Sequence, residues 1–243
     1  MSELIKVTKQ GSILSISLNR LDKKNALTAA MYSELASIFR DQVADANAVI
    51  FTGGTDFTAG NDLADFLDNP PTADDAPVYE FMRALTNCPV PVIAAVDGFA
   101  VGIGTTLLLH CDFVYATAKS LFVMPFINLA VVPEFASSLL LPLRVGHVKA
   151  AEMLLLGEKF DAQAALEYGI INQICEPENL ITTAQATAEK LAGKPRTALL
   201  HSKALMRRDS EPLAQRIAVE STLFSEMVAA PEAQTAIEKI LKR

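Results

Sequence analysis

The longest apolar stretch, Pro89–Leu109, constrains the fold of this chain most. It reads PVPVIAAVDGFAVGIGTTLLL. A membrane-spanning helix needs about 20 residues of unbroken apolar character. Here Pro89, Pro91, Asp97 and three glycines interrupt the run. A short buried strand over 91–98, a glycine turn and a buried helix over 102–110 account for it better. A further strand, CDFVYATA, follows directly.

The same rhythm recurs elsewhere. Residues 3–9 and 12–18 read as two strands around Gly11, with Ile16 and Leu18 alternating with Ser15 and Ser17. The segment KKNALT is a polar loop, and Thr28 can cap a helix from about Ala29 to Val43. On that helix Met31, Leu35, Ile38, Phe39 and Val43 share one face. AVIFTGG (48–54) is a short strand, and TDFTAGNDL (55–63) a loop that leads into a helix start. Residues 64–76 are acidic and proline-rich, which predicts a mobile surface loop. Val78, Phe81, Met82 and Leu85 stripe the next helix. Strand–helix alternation predicts an α/β fold. After about residue 145 the pattern turns helical. We divide the chain into a core over 1–185 and a C-terminal helical region over 186–243.

Composition narrows the function. At 243 residues and 51% hydrophobic content, the chain can bury a sizeable core. A net charge of −7 argues against nucleic-acid or anionic-membrane partners. Cys88, Cys111 and Cys175 lie in apolar settings without metal-ligand spacing. They read as reduced core residues of a cytoplasmic protein. The N-terminus MSELIKVTKQ has no apolar signal-peptide core. His110, His147 and His201 are scattered, so no metal is expected.

Two glycine turns open helices: FTAGND (57–62) and FAVGIGTT (99–106). A helix start leaves N–H groups unsatisfied, and glycine lets a ligand approach the backbone closely. Two such turns could aim two donors at one oxygen, as an oxyanion hole requires. They could equally be ordinary turn residues. Beyond them, VVPEFASSLLL (131–141) holds a single ionisable residue, Glu134. It could be a proton carrier in a dry site. It could also be the first acid of a helix starting near Pro133, a partner of Arg144, or solvent-exposed.

FTAGNDL combined with PVIAAVDGFAVGIGTTLLLHCDFVYATAKSLFVMPF resembles the crotonase (enoyl-CoA hydratase/isomerase) superfamily. The resemblance covers nearly the whole chain. It implies a spiral of ββα units with a C-terminal helical trimerisation region, assembled as a homotrimer or hexamer. It implies an acyl-CoA thioester substrate and no cofactor, coenzyme A being part of the substrate. The oxyanion-hole amides would be those of Asn61 and Ile103. Substrate contacts would come from Lys24, Ala26, Ala59, Gly60, Asp62, Leu63, Gly102, Phe126 and Phe135. Arg20 and Lys23 would add charge near the coenzyme phosphates.

Hydratases of the superfamily carry two glutamates. The corresponding places here hold Thr106 and Phe126. The segment PEFASS instead resembles the P-E-G-x-S-S of peroxisomal-type Δ3-Δ2-enoyl-CoA isomerases, with Phe135 where glycine is usual. That resemblance makes Glu134 the catalytic acid. Other crotonase-type reactions, such as hydration, thioester hydrolysis or decarboxylation, and a non-catalytic acyl-CoA-binding oligomer are the alternatives.

Overall fold

The computed structural model describes residues 3–71 and 75–207. The chain divides into two compact units, Met1–Ala192 and Gly193–Arg243. In the second, helix α9 spans Arg196–Met206. The C-terminal helical region expected beyond residue 207 lies outside the described residues.

The first unit is built on a six-stranded sheet of order β1-β2-β3-β4-β6-β9. Strands β1 (Ile5–Gln10) and β2 (Ile13–Leu18) form an antiparallel hairpin. The strands β3 (Ala48–Thr52), β4 (Val92–Val96), β6 (Phe113–Thr117) and β9 (Gln173–Cys175) then add in parallel. A second, three-stranded sheet has the order β5 (Phe99–Val101), β7 (Leu121–Val123) and β8 (Phe160–Asp161).

The two sheets together make a spiral. β4 leaves the large sheet, turns at Gly98 and continues as β5 in the small one. β6 and β7 repeat the move. After β3, Thr58 does the same in miniature by bridging Ala100. Each turn of chain therefore gives one strand to the large sheet and its next segment to the small sheet.

Helices cover both faces. Helix α1 (Ala29–Ser37) starts where expected, with the Thr28 hydroxyl accepting from the Met31 amide at 3.3 Å. It runs on as a π-helical turn through Gln42. It packs on α3 (Pro77–Thr86), whose Val78, Phe81, Met82 and Leu85 are all buried. Helix α8 (Leu180–Ala192) lays Leu180, Ala184 and Ala188 against Ile13, Ile50, Ile93 and Tyr115 of the large sheet. Those three helix positions recur every four residues, so they share one face. Residue 185 lies inside this helix, and the first unit ends with it at Ala192.

Three local expectations change. The helix start read after the first glycine turn is helix α2 (Leu63–Asp68), which runs into residues expected as loop from 64 on, because the Asp62 carboxylate accepts from the Ala64 and Asp65 amides and supplies a cap. The helix after Pro133 begins later: α5 spans Ser137–Val145. Phe135 and Ala136 both have φ 54°, outside right-handed helical space, so the helix cannot include them. Finally, the tail of the core is not all helix. Among α6 (His147–Ala151) and α7 (Ala162–Glu167) it inserts the short strands β8 and β9.

Candidate active site

The two glycine turns lie side by side. Val101 donates its amide to the Thr58 carbonyl at 3.0 Å, and Thr58 donates to Phe99 at 2.9 Å. Gly60, at φ 86°, approaches so closely that an added Cβ would sit 2.7 Å from the Val101 oxygen. A Cβ on Gly104 would meet the Thr58 methyl at 2.6 Å. Contact requires both glycines, and the backbone angle requires Gly60 as well.

Two amides of these turns take part in none of these bonds. Leu27 bridges Asn61 by donating to the Gly60 carbonyl and accepting from the Asp62 amide, both at 2.8 Å. That ladder does not use the Asn61 N–H. Ile103 is the first residue of helix α4 (Ile103–Thr106), where no intrahelical acceptor exists for its N–H. Gly102 precedes it at φ 55° and donates instead to Val123 at 2.8 Å.

Glu134 meets the same helix. The Thr106 hydroxyl donates to its Oε1 at 3.3 Å. Burial pushes the Glu134 carboxyl up to about 7, against a smaller opposing pull from Thr106. Among the described residues Glu134 forms no ion pair, with Arg144 or otherwise. Its carbonyl is held by Ser137, through the amide at 3.0 Å and the hydroxyl at 2.6 Å. It precedes helix α5 and is not part of it, so the helix-start reading of this acid is replaced by a turn.

Tyr32 braces the first glycine turn and lies within the electrostatic reach of Glu134. Its hydroxyl donates to the Asn61 side-chain oxygen. Its own titration is pushed well up, first by burial, then by the charges of Glu134 and Asp65. The phenol therefore stays protonated and remains a donor. The Tyr32 ring also lines a cavity of about 350 Å³ with Phe66, Pro71 and Val78. This cavity runs along α2 and the start of α3.

The remaining expected site residues divide. Lys24 is exposed, with its ammonium 4.7 Å from the centroid of the Phe99 ring, and its carbonyl accepts from Ala59 at 2.9 Å. Leu63 is exposed at 55%. Phe126 is buried, its ring edge 4.0 Å from where a Cβ on Gly102 would lie. Phe135 is buried against His110. Asp62 and Arg20 are engaged with each other at 2.7 Å, and Arg20 also donates to the Ala26 carbonyl at 2.9 Å. The Arg20 hydrogen bond holds the Asp62 carboxyl below its usual range. These two side chains brace the loop. They are not unengaged ligand groups.

Three residues carry more than the sequence suggested. Asn25, at φ 56° and fully buried, donates to the carbonyls of Gly53 and Asp56 and accepts from the Arg20 amide. It pins the first turn to β3. An asparagine in a polar loop is a known left-handed residue, which was the available signal. Tyr32 and His110 were hidden, because their partners are distant in sequence.

The sequence profile described as Enoyl-CoA hydratase/isomerase matches residues 8–242. The chain belongs to this family. Enoyl-CoA delta isomerase 2 of Rattus norvegicus is 36% identical over 219 residues, covering 86% of this chain. The match spans only 56% of the rat protein's length. Peroxisomal enoyl-CoA delta isomerase 3 of Mus musculus is 31% identical over 252 residues, 100% of this chain and 79% of the mouse protein. Among solved structures, a chain from Magnetospirillum magneticum AMB-1 described as an enoyl-CoA hydratase/carnithine racemase superposes with a TM-score of 0.96 at 43% identity. That alignment covers 100% of this chain and 97% of the other. The family member described here therefore has the crotonase fold. No described helix is long and apolar enough to cross a membrane. No group of three or more His, Cys, Asp or Glu among the described residues could hold a metal ion.

Proposed function

We propose that this family member is a Δ3-Δ2-enoyl-CoA isomerase whose proton carrier is Glu134. The observation that carries the reading is a single carboxyl, raised by burial to about 7, hydrogen-bonded to the helix that starts at Ile103. A general base works best with a pKa near the operating pH.

In this reading the thioester oxygen accepts from the Asn61 and Ile103 amides. Polarisation acidifies C2, and the Glu134 carboxylate removes its proton. The electron pair moves into a dienolate held by the two donors. The protonated acid then returns the proton to C4, and the double bond shifts from C3–C4 to C2–C3. Losing one such donor typically costs about 3 kcal/mol of barrier lowering.

Thr106 suits both states of the acid. Its hydroxyl lies 3.3 Å from Glu134 and 3.5 Å from the Ile103 carbonyl. It can donate to the carboxylate, or accept from the carboxylic acid while donating to Ile103. The hydratase alternative would need a second carboxylate to orient water, and Thr106 and Phe126 offer none.

The acyl chain would run into the cavity beside Tyr32 and Phe66, and Lys24 would approach the coenzyme phosphates. Oligomerisation belongs to the same proposal. Val132, Leu143 and Val148 are 80%, 77% and 82% exposed, an apolar surface that a second copy would cover. Light scattering that reports a monomer would remove that part.

The deciding assay follows 3-enoyl-CoA and 2-enoyl-CoA thioesters side by side. Conversion of the 3-enoyl to the 2-enoyl ester, lost in Glu134→Gln, is the expected result. Full turnover by Glu134→Gln, or hydration of the 2-enoyl ester alone, would overturn it.

A further inference from the structure

The turn that carries Glu134 is held in a conformation its residues disfavour. Phe135 and Ala136 both sit at φ 54°. Left-handed backbone suits glycine, whereas a bulky side chain there is an outlier. Such outliers persist only where the surroundings over-determine them. Glu134 is covalently attached to this turn, so relaxation of Phe135 toward ordinary angles would move the acid.

His110 supplies the restraint. It ends the 3-10 turn that continues from α4. Its ring stacks on Phe135, with centroids 4.0 Å apart and planes 22° from parallel. Its Nε2 lies 2.8 Å from the Phe135 carbonyl oxygen. A carbonyl can only accept, so Nε2 must carry a proton and donate. The Thr86 hydroxyl lies 3.4 Å from Nδ1, on the far side of the ring. Phe81 meets Phe135 edge-on, with centroids 6.2 Å apart. One residue thus grips Phe135 at both its ring and its carbonyl. The proton transfer described above uses neither contact.

We propose that His110 is a positioning residue: by stacking on Phe135 and binding its carbonyl, it locks the left-handed turn that aims Glu134 at Thr106. The inference rests on Glu134 being the proton carrier. It makes His110 and Phe135 interdependent, because the clamp is needed only while a phenylalanine occupies a glycine-like conformation.

A double-mutant cycle on the full chain tests this. His110→Phe keeps a ring to stack and removes the N–H donor. In the parent it should lower kcat on a 3-enoyl-CoA ester about 10- to 100-fold, with KM within about twofold, as expected for a misplaced catalytic group. His110→Gln, which retains a donor, should recover part of the loss. In the F135G background glycine holds φ > 0 without help, so His110→Phe should change kcat by no more than about threefold.

Equal losses of kcat in both backgrounds would overturn the clamp. So would a His110→Phe variant that melts earlier yet turns over normally. If His110→Phe does not fold by circular dichroism, the cycle is run with His110→Leu, which also lacks the donor, under the same criteria. Glu134→Gln is assayed in parallel. Turnover retained there removes the functional reading itself, whereas an inactive Glu134→Gln with an additive cycle removes only the clamp.

Discussion

The two glycine turns and the Glu134 turn solve opposite problems. In the proposed mechanism the first pair presents backbone N–H groups, and the chain uses residues that accept the required angles. Gly60 and Gly102 take φ 86° and 55°, and main-chain hydrogen bonds knit the turns together. In the same proposal the Glu134 turn presents a side chain, and the chain uses residues that resist the angles. Phe135 and Ala136 cost about 1–3 kcal/mol each in that conformation. The offsetting contacts come from side chains: Ser137 on the Glu134 carbonyl, His110 on the Phe135 carbonyl, Thr106 on the carboxylate. Donors can be fixed by backbone alone. An acid in a dry site needs support from several directions.

This contrast breaks most sharply at Glu134 itself. Glu134→Gln should lower kcat by about a thousandfold or more, since the proposed mechanism has no other proton carrier. KM should change little, because the proposed binding groups, the amides and the cavity, are untouched. Steady-state kinetics on a 3-enoyl-CoA ester reads both.

The same residue should weaken the fold at high pH. Its carboxyl titrates at about 7 in the folded chain and near 4.5 when unfolded. The folded state therefore binds the proton more tightly. The contribution is fully present below pH 4.5 and is lost as pH rises through 7. The loss should reach up to about 3 kcal/mol, and Glu134→Gln should abolish it. Denaturant unfolding of both proteins at pH 5 and pH 8 measures the difference. A parent no less stable at pH 8, relative to the variant, would refute the burial of this acid.

The glycine turns break differently. Gly60→Ala should destabilise by about 1–3 kcal/mol, since the added Cβ meets the Val101 oxygen at 2.7 Å in a left-handed backbone. Gly11→Ala is the control, at φ 59° with nothing within 4 Å. It should cost only the backbone part, about 1 kcal/mol. Equal losses in the two variants, read from thermal melts, would mean that close approach of the turns contributes nothing.

Legibility in the sequence followed the range of the forces. The hairpin, β3, β4, the α1 cap and the buried stripe on α3 were readable because each rests on local periodicity or a neighbouring cap. The start of helix α2 was readable too, but its extent was not, because the acidic, proline-rich sequence from 64 on looks like a loop. Strands β8 and β9 are two and three residues long, too short for alternation to register. The lone acid was conspicuous in an apolar segment. Its support was invisible. His110 reaches Phe135 across 25 residues, and Tyr32 reaches Asn61 across 29. Contacts of that kind depend on where the spiral brings the chain back. The later start of α5 has the same origin: the left-handed pair at 135–136 leaves no mark in composition.

The smallest effect should fall on Thr106. Thr106→Val keeps the shape of the side chain and removes its hydroxyl. The hydroxyl is the one contact holding the Glu134 titration down, so its loss should move that titration further up. A base that titrates higher is less ionised at neutral pH. The acidic limb of the kcat/KM profile should therefore shift to higher pH, with about a threefold loss at pH 7 that disappears in alkaline buffer. A uniform loss at every pH would instead mean that Thr106 acts through packing or as the acceptor for the protonated acid. That outcome would remove Thr106 from the tuning of Glu134's charge.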